Sequence, residues 1–246
     1  MHRFFISPDD LRNDHISLPE EVLRHMAVLR LGKGAEILLF DGIGNFCRCR
    51  IEHLGRQTGK VVVLSRDMER DSAFPIELMQ ALPKADKMEL VLQKGTELGV
   101  SRFTPLYASR SVPRLAVRRE HQRRERWLRI IREAARQSRR PVLPSLSDIC
   151  SLDEALARCQ SELRLMLWEE GSQPIDTVFP QRIPEGASVL VGPEGGFSDE
   201  EADIARRHGF VPVLFGPRIL RSETAGFAAA AILQYRYGDL GGERAS

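Results

Sequence analysis

The sequence contains few cysteines, the residues that form disulfides and many zinc sites. Only four of its 246 residues are cysteines: Cys47, Cys49, Cys150 and Cys159. None belongs to a C-x-x-C pair, which argues against a zinc ribbon and a thioredoxin-type redox site. The histidines likewise lack the spacing of metal ligands. We therefore expect no metal site and plain buried thiols, with Cys47 and Cys49 on the same face of one strand.

Long apolar stretches are also missing. The first residues have no apolar core of the kind that a secretory signal carries. The longest apolar run, residues 225–233, is too short for a membrane span of about 20 residues. Together with free thiols, which suit a reducing compartment, these absences predict a cytoplasmic protein without a membrane partner.

Lysine is absent from residues 110–140, although this segment holds twelve arginines and three glutamates. The formal charge of this arginine belt is +9, against +2 for the whole chain, so the remaining residues together carry −7. A belt of arginine on an acidic body indicates a polyanionic partner, and arginine suits bidentate contact with phosphate. We interpret the belt as a nucleic-acid contact, and the alternative is a solvated helix face.

Glycine turns separate short apolar stretches in residues 1–70, a pattern typical of a small antiparallel β-barrel. The predicted elements are a helix over residues 19–28 and strands over residues 3–6, 35–40, 45–54 and 59–65. A polar stretch, residues 67–72, then predicts a linker. We expect a first domain over residues 1–70.

Strands and helices alternate over residues 73–246, which we expect to form a second, larger α/β domain. The predicted strands cover residues 75–82, 102–107, 163–168, 188–191 and 211–215. The predicted helices cover residues 86–98, 118–139, 152–158, 199–208 and 224–237. This alternation favours a parallel sheet covered on both faces, in which ligand sites lie at the carboxyl ends of the strands.

Three turns rich in glycine or proline follow the last three predicted strands, over residues 168–171, 192–197 and 216–221. Because parallel strands end at one edge of a sheet, the turns predict one composite pocket. The alternative is that they are only tight turns.

The predicted pocket does not match the common phosphate and dinucleotide sites. No Gly-Lys-Ser/Thr follows its glycines, and the G-x-G-x-x-G pattern is missing. The next helix opens with Ser198 and Glu201, the S-x-x-E pattern of a capping box, and its acidic first turn repels anions. The ligand is therefore neutral or cationic, and a nucleoside bearing a sulfonium, S-adenosylmethionine, fits.

Several segments together form a recognisable set: residues 3–5, 84–89, Lys94 with 97–100, 133–139, 192–197 and 216–225. In order and spacing, across nearly the whole chain, they resemble one enzyme family, the bacterial enzymes that methylate uracil N3 in 16S ribosomal RNA, which are SPOUT methyltransferases. The departures are Gly95, where alanine is expected, and Ser222, where threonine is common.

The resemblance implies an α/β protein with a small PUA-like RNA-binding β-barrel over residues 1–70, followed by a SPOUT domain over residues 73–246. In that fold the chain over about residues 163–237 forms a C-terminal trefoil knot and the cofactor site. It further implies S-adenosylmethionine as cofactor and a homodimer. The implied substrate is small-subunit ribosomal RNA, either free or in the assembled 30S subunit.

The resemblance also assigns the cofactor contacts. Glycines let the backbone approach the cofactor, and the third turn encloses the adenine. Thr224 opens the last helix, which it caps unless it meets the methionine part of the cofactor. The implied cofactor-binding residues are Leu167, Glu169, Gly192, Pro193, Gly195, Gly196, Gly216, Ile219, Leu220 and Thr224.

The chemistry of uracil N3 calls for a cation and a base. N3 must lose its proton, and negative charge then spreads to O2 and O4. We predict Arg221 as the anion stabiliser and Glu223 as the base or as an orienting group. The alternatives are that Arg221 holds the cofactor carboxylate and that Glu223 only caps the final helix.

Five cations are predicted to contact RNA: Arg3, Lys84, Lys87, Arg136 and Arg139. An intrahelical ion pair with Glu133 is the alternative for Arg136.

Two other functions stay open at this point. One is methylation of a ribose 2′-hydroxyl or of another base, and the other is a non-catalytic RNA-binding protein.

Overall fold

The computed structural model of the chain describes residues 1–55, 57–111 and 117–242, with only the backbone of residues 117 and 118. It contains two compact units. The N-terminal unit consists of residues 1–71 and 135–143, and the C-terminal unit of residues 72–134 and 144–246. Sequence reasoning did not anticipate that residues 135–143 join the first unit. Of the predicted arginine belt, Arg114 and the side chain of Arg118 lie outside the described residues.

The N-terminal unit is built on a five-stranded sheet with the order β1-β3-β4-β5-β2. Its elements are β1 (His2–Phe5), α1 (Pro8–Leu11), β2 (His15–Ser17), α2 (Glu20–Val28), β3 (Glu36–Phe40), β4 (Asn45–Leu54) and β5 (Gly59–Met68). The prediction of purely antiparallel pairing is wrong for β1, which pairs with β3 in parallel. The long connection through α1, β2 and α2 returns the chain in the same direction and permits this pairing.

The core of this unit follows the period of two of its strands. Along β4, Cys47, Cys49 and Ile51 are buried, while Arg48 and Arg50 between them are exposed. This confirms that both cysteines lie on one face. Burial raises the pKa of Cys49 to about 12, so its thiol stays protonated and unreactive.

The C-terminal unit is built on a parallel sheet with the order β11-β13-β10-β12-β6-β7-β8, in which β9 also pairs with β7. Its strands are β6 (Ile76–Ala81), β7 (Arg102–Tyr107), β8 (Ser145–Leu146), β9 (Cys150–Ser151), β10 (Leu163–Leu167), β11 (Gln173–Pro174), β12 (Ala187–Val191) and β13 (Val211–Leu214). Its helices are α3 (Lys87–Glu97), α4 (Val117–Ser138, of which residues 135–138 belong to the N-terminal unit), α5 (Leu152–Arg158), α6 (Asp199–Arg207) and α7 (Ser222–Tyr237), with a 3₁₀ turn at Ile175–Thr177. Every residue of β12 is buried, as expected of a central strand in a covered parallel sheet.

The final helix begins two residues earlier than predicted. Arg221 has extended backbone angles and is the N-cap, and its carbonyl accepts a hydrogen bond from the amide of Ala225. Thr224 is therefore inside the first turn, and the prediction that it opens and caps the helix is wrong.

Within the described part of the chain, no helix is both long and apolar enough to cross a membrane.

Gly95, a departure from the resembled family, has a packing cause in this chain. It lies in α3, and a Cβ added there would stand 2.6 Å from Cε1 and 2.8 Å from Cζ of the buried Phe103 ring. The aromatic ring thus occupies the space that an alanine side chain would need.

We expect Gly95→Ala to lower the free energy of unfolding, measured by chemical denaturation. The gain in helix propensity is about 1 kcal/mol. Overpacking against a buried ring costs about 1–3 kcal/mol, so the net loss is about 1–2 kcal/mol. In a double-mutant cycle with Phe103→Leu, part of this loss should be recovered. Strict additivity of the two substitutions would contradict the steric explanation.

Candidate functional site

Three neighbouring strands bring the predicted turns together. β10 pairs in parallel with β12 on one side and with β13 on the other. Their carboxyl ends therefore lie at one edge of the sheet, and residues 168–171, 192–197 and 215–221 leave from that edge. The prediction of one composite site is confirmed.

The turns enclose a cavity of about 630 Å³. Nine of the predicted catalytic and cofactor-binding residues line it: Leu167, Glu169, Gly192, Pro193, Gly195, Gly196, Ile219, Leu220 and Arg221. Gly216 lines an adjoining hollow of about 250 Å³, which shares Leu167, Glu169, Ile219 and Leu220 with the main cavity. Thr224 and Glu223 line neither.

The backbone of residues 192–197 forms an open cradle. Gly196 has a φ of +69°, a left-handed conformation that favours glycine, and an added Cβ there would meet no heavy atom within 4 Å. The guanidinium of Arg110 donates hydrogen bonds to the carbonyl oxygens of Gly195, at 2.8 Å, and of Phe197, at 3.3 Å. Arg110, the first arginine of the belt, therefore braces this loop.

The helix that follows the cradle is closed to anions. Ser198 Oγ accepts a hydrogen bond from the amide of Glu201 at 3.2 Å, and Glu201 Oε2 accepts one from the amide of Ser198 at 2.9 Å. This confirms the predicted capping box. Glu201 also accepts hydrogen bonds from the amide and the hydroxyl of Ser109. The capping box therefore occupies the amide of Glu201, and the three carboxylates of the first turn repel a phosphate.

The charges around the cavity suit a cationic nucleoside. Three cations and four carboxylates line it: Lys87, Arg110, Arg221, Glu169, Glu170, Glu194 and Asp199. The apolar side chains of Leu167, Trp168, Ile219 and Leu220 form another part of its wall. An apolar wall for a base, a glycine cradle and a slight excess of carboxylate fit S-adenosylmethionine, whose sulfonium is positive.

Lys87 connects three segments beside the cavity. Its ammonium lies 3.0 Å from Glu194 Oε1, in the cradle loop, and 3.3 Å from Glu223 Oε2, in the first turn of α7. Glu194 also accepts hydrogen bonds from the amide of Lys84. The side chain of Glu223 is 9% exposed, and apart from this ion pair its Oε2 has no hydrogen-bond partner in the part of the chain that the structure describes.

The ionic states of this cluster are fixed by its geometry. The hydrogen bond to Glu194 raises the pKa of Lys87 although desolvation opposes it, and Glu223 adds to the rise. Burial alone would raise the pKa of Glu194, but Lys87 and the backbone amides lower it overall. Lys87 is therefore an ammonium and Glu194 a carboxylate at neutral pH.

A buried polar chain holds the start of the cradle. Gln80 Nε2 donates to Ser222 Oγ at 2.9 Å, and Ser222 Oγ donates to the carbonyl of Gly192 at 2.5 Å. Gln80 is fully buried at the carboxyl end of β6, next to β12. Sequence reasoning missed Gln80, although a glutamine inside an otherwise apolar strand was a usable signal. It also missed that Trp168 and Lys87 line the cavity.

We expect Ser222→Ala to weaken both stability and cofactor binding, because it leaves a buried N–H of Gln80 and the Gly192 carbonyl without this partner. The expected loss of unfolding free energy is about 1–3 kcal/mol. The Kd for S-adenosylmethionine, measured by calorimetry, should rise by about tenfold, or 1.4 kcal/mol. Ser222→Thr keeps the hydroxyl and should retain both properties. Equal losses in the two variants would contradict the role given to the hydroxyl.

The predicted RNA contacts lie in different environments. Arg3 is half-buried, donates to the carbonyl of Arg139 at 2.9 Å and stacks 5.4 Å above the Phe40 ring. Lys84 and Arg139 are exposed, and Arg136 is half-buried.

No cluster of three or more metal-ligating side chains occurs among the residues that the structure describes.

Comparisons with known proteins match both units. A family model described as an RNA methyltransferase domain matches residues 70–234, and one described as an RNA methyltransferase PUA domain matches residues 18–64. The chain is 33% identical over 225 residues to the ribosomal RNA small subunit methyltransferase E of Bacillus subtilis, covering 88% of each chain. The protein of the same name from Mycobacterium bovis is 32% identical, over 85% of this chain and 82% of that one.

Solved structures give the same result. The fold is similar to that of a ribosomal RNA small subunit methyltransferase E from Neisseria gonorrhoeae bound to S-adenosylmethionine, with a TM-score of 0.90 and 34% identity over 97% of this chain and 99% of that one. A putative methyltransferase from Legionella pneumophila, also with bound S-adenosylmethionine, has a TM-score of 0.90 and 33% identity over 97% and 98% of the two chains.

Proposed function

The chain belongs to the family of RNA methyltransferases that carry a PUA domain ahead of the methyltransferase domain, and on that premise we propose that it methylates N3 of a uridine in 16S ribosomal RNA. It is an RNA methyltransferase that uses S-adenosylmethionine, like its relatives named for the small ribosomal subunit. The observation that carries the proposal is the glycine-cradled cavity, whose wall offers both an apolar surface and cations.

The site divides the work between cofactor and substrate. When bound, S-adenosylmethionine would supply an activated methyl carbon, with its sulfur keeping the electron pair of the S–C bond, and N3 of the uracil would give up its proton to water. Gly192, Gly195 and Gly196 allow close backbone approach, and Ile219 and Leu220 cover the base. These residues bind and orient the cofactor, and the acidic first turn of α6 repels phosphate.

Arg221 is the anion stabiliser in this proposal. It lines the cavity, is exposed, and no described residue forms a hydrogen bond or ion pair with its guanidinium. A cation beside the uracil oxygens lowers the barrier because negative charge grows there during the reaction. Of the two roles considered for Glu223, the orienting role fits better than that of base, because the carboxylate is buried, is paired with Lys87 and does not line the cavity.

We also propose the finer features of the fold and of the assembly. Residues 163–237 are threaded as a trefoil knot, residues 1–70 close into a PUA-like barrel, and residues 73–246 act as the SPOUT domain of a cytoplasmic homodimer. Arg3, Lys84, Arg136 and Arg139 contact RNA phosphates. Their support is the family resemblance and the excess of arginine over residues 110–140.

The test is to locate the methyl group. Unmodified bacterial 16S RNA and 30S subunits are incubated with the protein and S-adenosylmethionine carrying a deuterated methyl group, and the nucleosides are separated and identified by mass spectrometry. We expect labelled N3-methyluridine. A label on a ribose hydroxyl or on another base would overturn the N3 assignment, and RNA binding without any label would favour the non-catalytic alternative.

A further inference from the structure

The cation beside the buried Glu223 has no role in the mechanism given so far. The side chain of Lys87 is 30% exposed and lines the cavity, whereas Glu223, in ion-pair contact with it, is 9% exposed and does not. The group that this pair offers to a bound substrate is therefore the ammonium. Arg221 lines the same cavity, and the third cation there, Arg110, is already engaged with the carbonyl oxygens of Gly195 and Phe197.

We infer that Lys87 is a second catalytic cation, which donates a hydrogen bond to a uracil oxygen as N3 loses its proton, and that Glu194 and Glu223 hold it in place. The inference rests on the proposed function, because it concerns the charge that develops on a uracil methylated at N3. An ammonium has three N–H groups. The two carboxylates engage at most two of them, which leaves at least one for the substrate.

The same geometry argues against the phosphate contact predicted for Lys87. A phosphate at this ammonium would stand beside two carboxylates and would be repelled by both. A uracil carbonyl is neutral in the ground state and gains negative charge only as the reaction proceeds. Lys87 therefore suits a group whose charge appears in the transition state better than one that is always charged.

Lys87 does not serve as the base. Because Glu194 raises its pKa, the ammonium keeps its protons at neutral pH and can only donate. The proton of N3 passes to water, as in the proposed mechanism.

The test compares two RNAs that differ in the acidity of N3. RNA made with 5-fluorouridine in place of uridine has a more acidic N3–H and a more stable anion, because fluorine withdraws electrons from the ring, so it depends less on a stabilising cation. Single-turnover methylation is measured for the wild type and Lys87→Met on both RNAs, as free RNA or reconstituted 30S subunits, with the cofactor Kd from calorimetry.

With uridine RNA, Lys87→Met is expected to slow methyl transfer by about 10- to 100-fold, the value of a hydrogen bond to a charged group. The loss should shrink to a few-fold with fluorinated RNA, while the cofactor Kd changes little. Lys87→Arg keeps the charge and should restore most of the rate. The matched control is Lys94→Met on the same helix. Lys94 lies outside the cavity and pairs with Glu97 at 2.8 Å, so its replacement should leave the rate unchanged.

The outcomes separate this inference from the proposed function. If the wild type produces N3-methyluridine but Lys87→Met loses the same factor on both RNAs, Lys87 is only a structural tie and the inference fails alone. A loss as large in Lys94→Met would lead to the same conclusion. If Lys87→Met does not fold, the rates of Lys87→Gln and Lys87→Arg on the two RNAs decide by the same comparison. If the wild type produces no N3-methyluridine, the proposed function fails and takes the inference with it.

Discussion

Replacing Arg221 with alanine is expected to lower the rate constant of methyl transfer by about 10²- to 10³-fold, the usual cost of losing one group that stabilises developing charge. Arg221 lines the cavity, and no described residue forms an ion pair with its guanidinium. The measurement is single-turnover methylation of 16S RNA, together with calorimetric titration of S-adenosylmethionine. The Kd of the cofactor should change little.

The two assignments of Arg221 give opposite results in this experiment. If Arg221 instead holds the cofactor carboxylate, the Kd rises strongly and saturating cofactor restores much of the rate. Arg218→Ala is the matched control, because Arg218 belongs to the same turn but lines only the adjoining hollow. Full methylation by Arg221→Ala would remove Arg221 from the mechanism altogether.

Replacing Gly196 with valine is expected to abolish cofactor binding, with a Kd at least about 100-fold higher, or about 3 kcal/mol. Valine would be forced into a left-handed conformation at φ +69°, and its side chain would enter open space at a residue that lines the cavity. Calorimetry measures the Kd, and thermal unfolding measures the cost of backbone strain separately.

A second glycine with a left-handed backbone provides a control for the backbone strain at Gly196. Gly209 has a φ of +81° at the end of α6, lies outside the cavity, and an added Cβ would come no closer than 3.8 Å to Arg164. Gly209→Val should therefore lose a similar amount of stability, about 1–2 kcal/mol or more, and keep its affinity for the cofactor. Equal losses of affinity in both variants would show that strain, and not the cavity, is responsible.

The convergence of the three turns could be predicted because it follows from local patterns. Apolar runs identify β10, β12 and β13, their parallel alternation with helices sends the turns to one edge, and glycine marks where the backbone is exposed there. The capping box at Ser198 is equally local, since its partner Glu201 lies three residues away. Patterns of this kind need no knowledge of distant neighbours.

The electrostatic arrangement could not be predicted in the same way. Lys87 forms ion pairs with Glu194 and Glu223, which are more than 100 residues away along the chain. The spacing of apolar residues in the sequence gives no information about such distant pairs. The burial of Glu223 follows from the start of α7 at Ser222, two residues before the predicted start. The parallel pairing of β1 was missed because α1 and β2, the short elements of the crossover, were not recognised.

The most direct test of the account is a crystal structure of the protein with S-adenosylmethionine. We expect cofactor density between residues 167–171, 192–197 and 219–222, with the base against Ile219 and Leu220 and the methyl group facing Arg221 and Lys87. Density bound elsewhere, or a methyl group turned away from both cations, would contradict it.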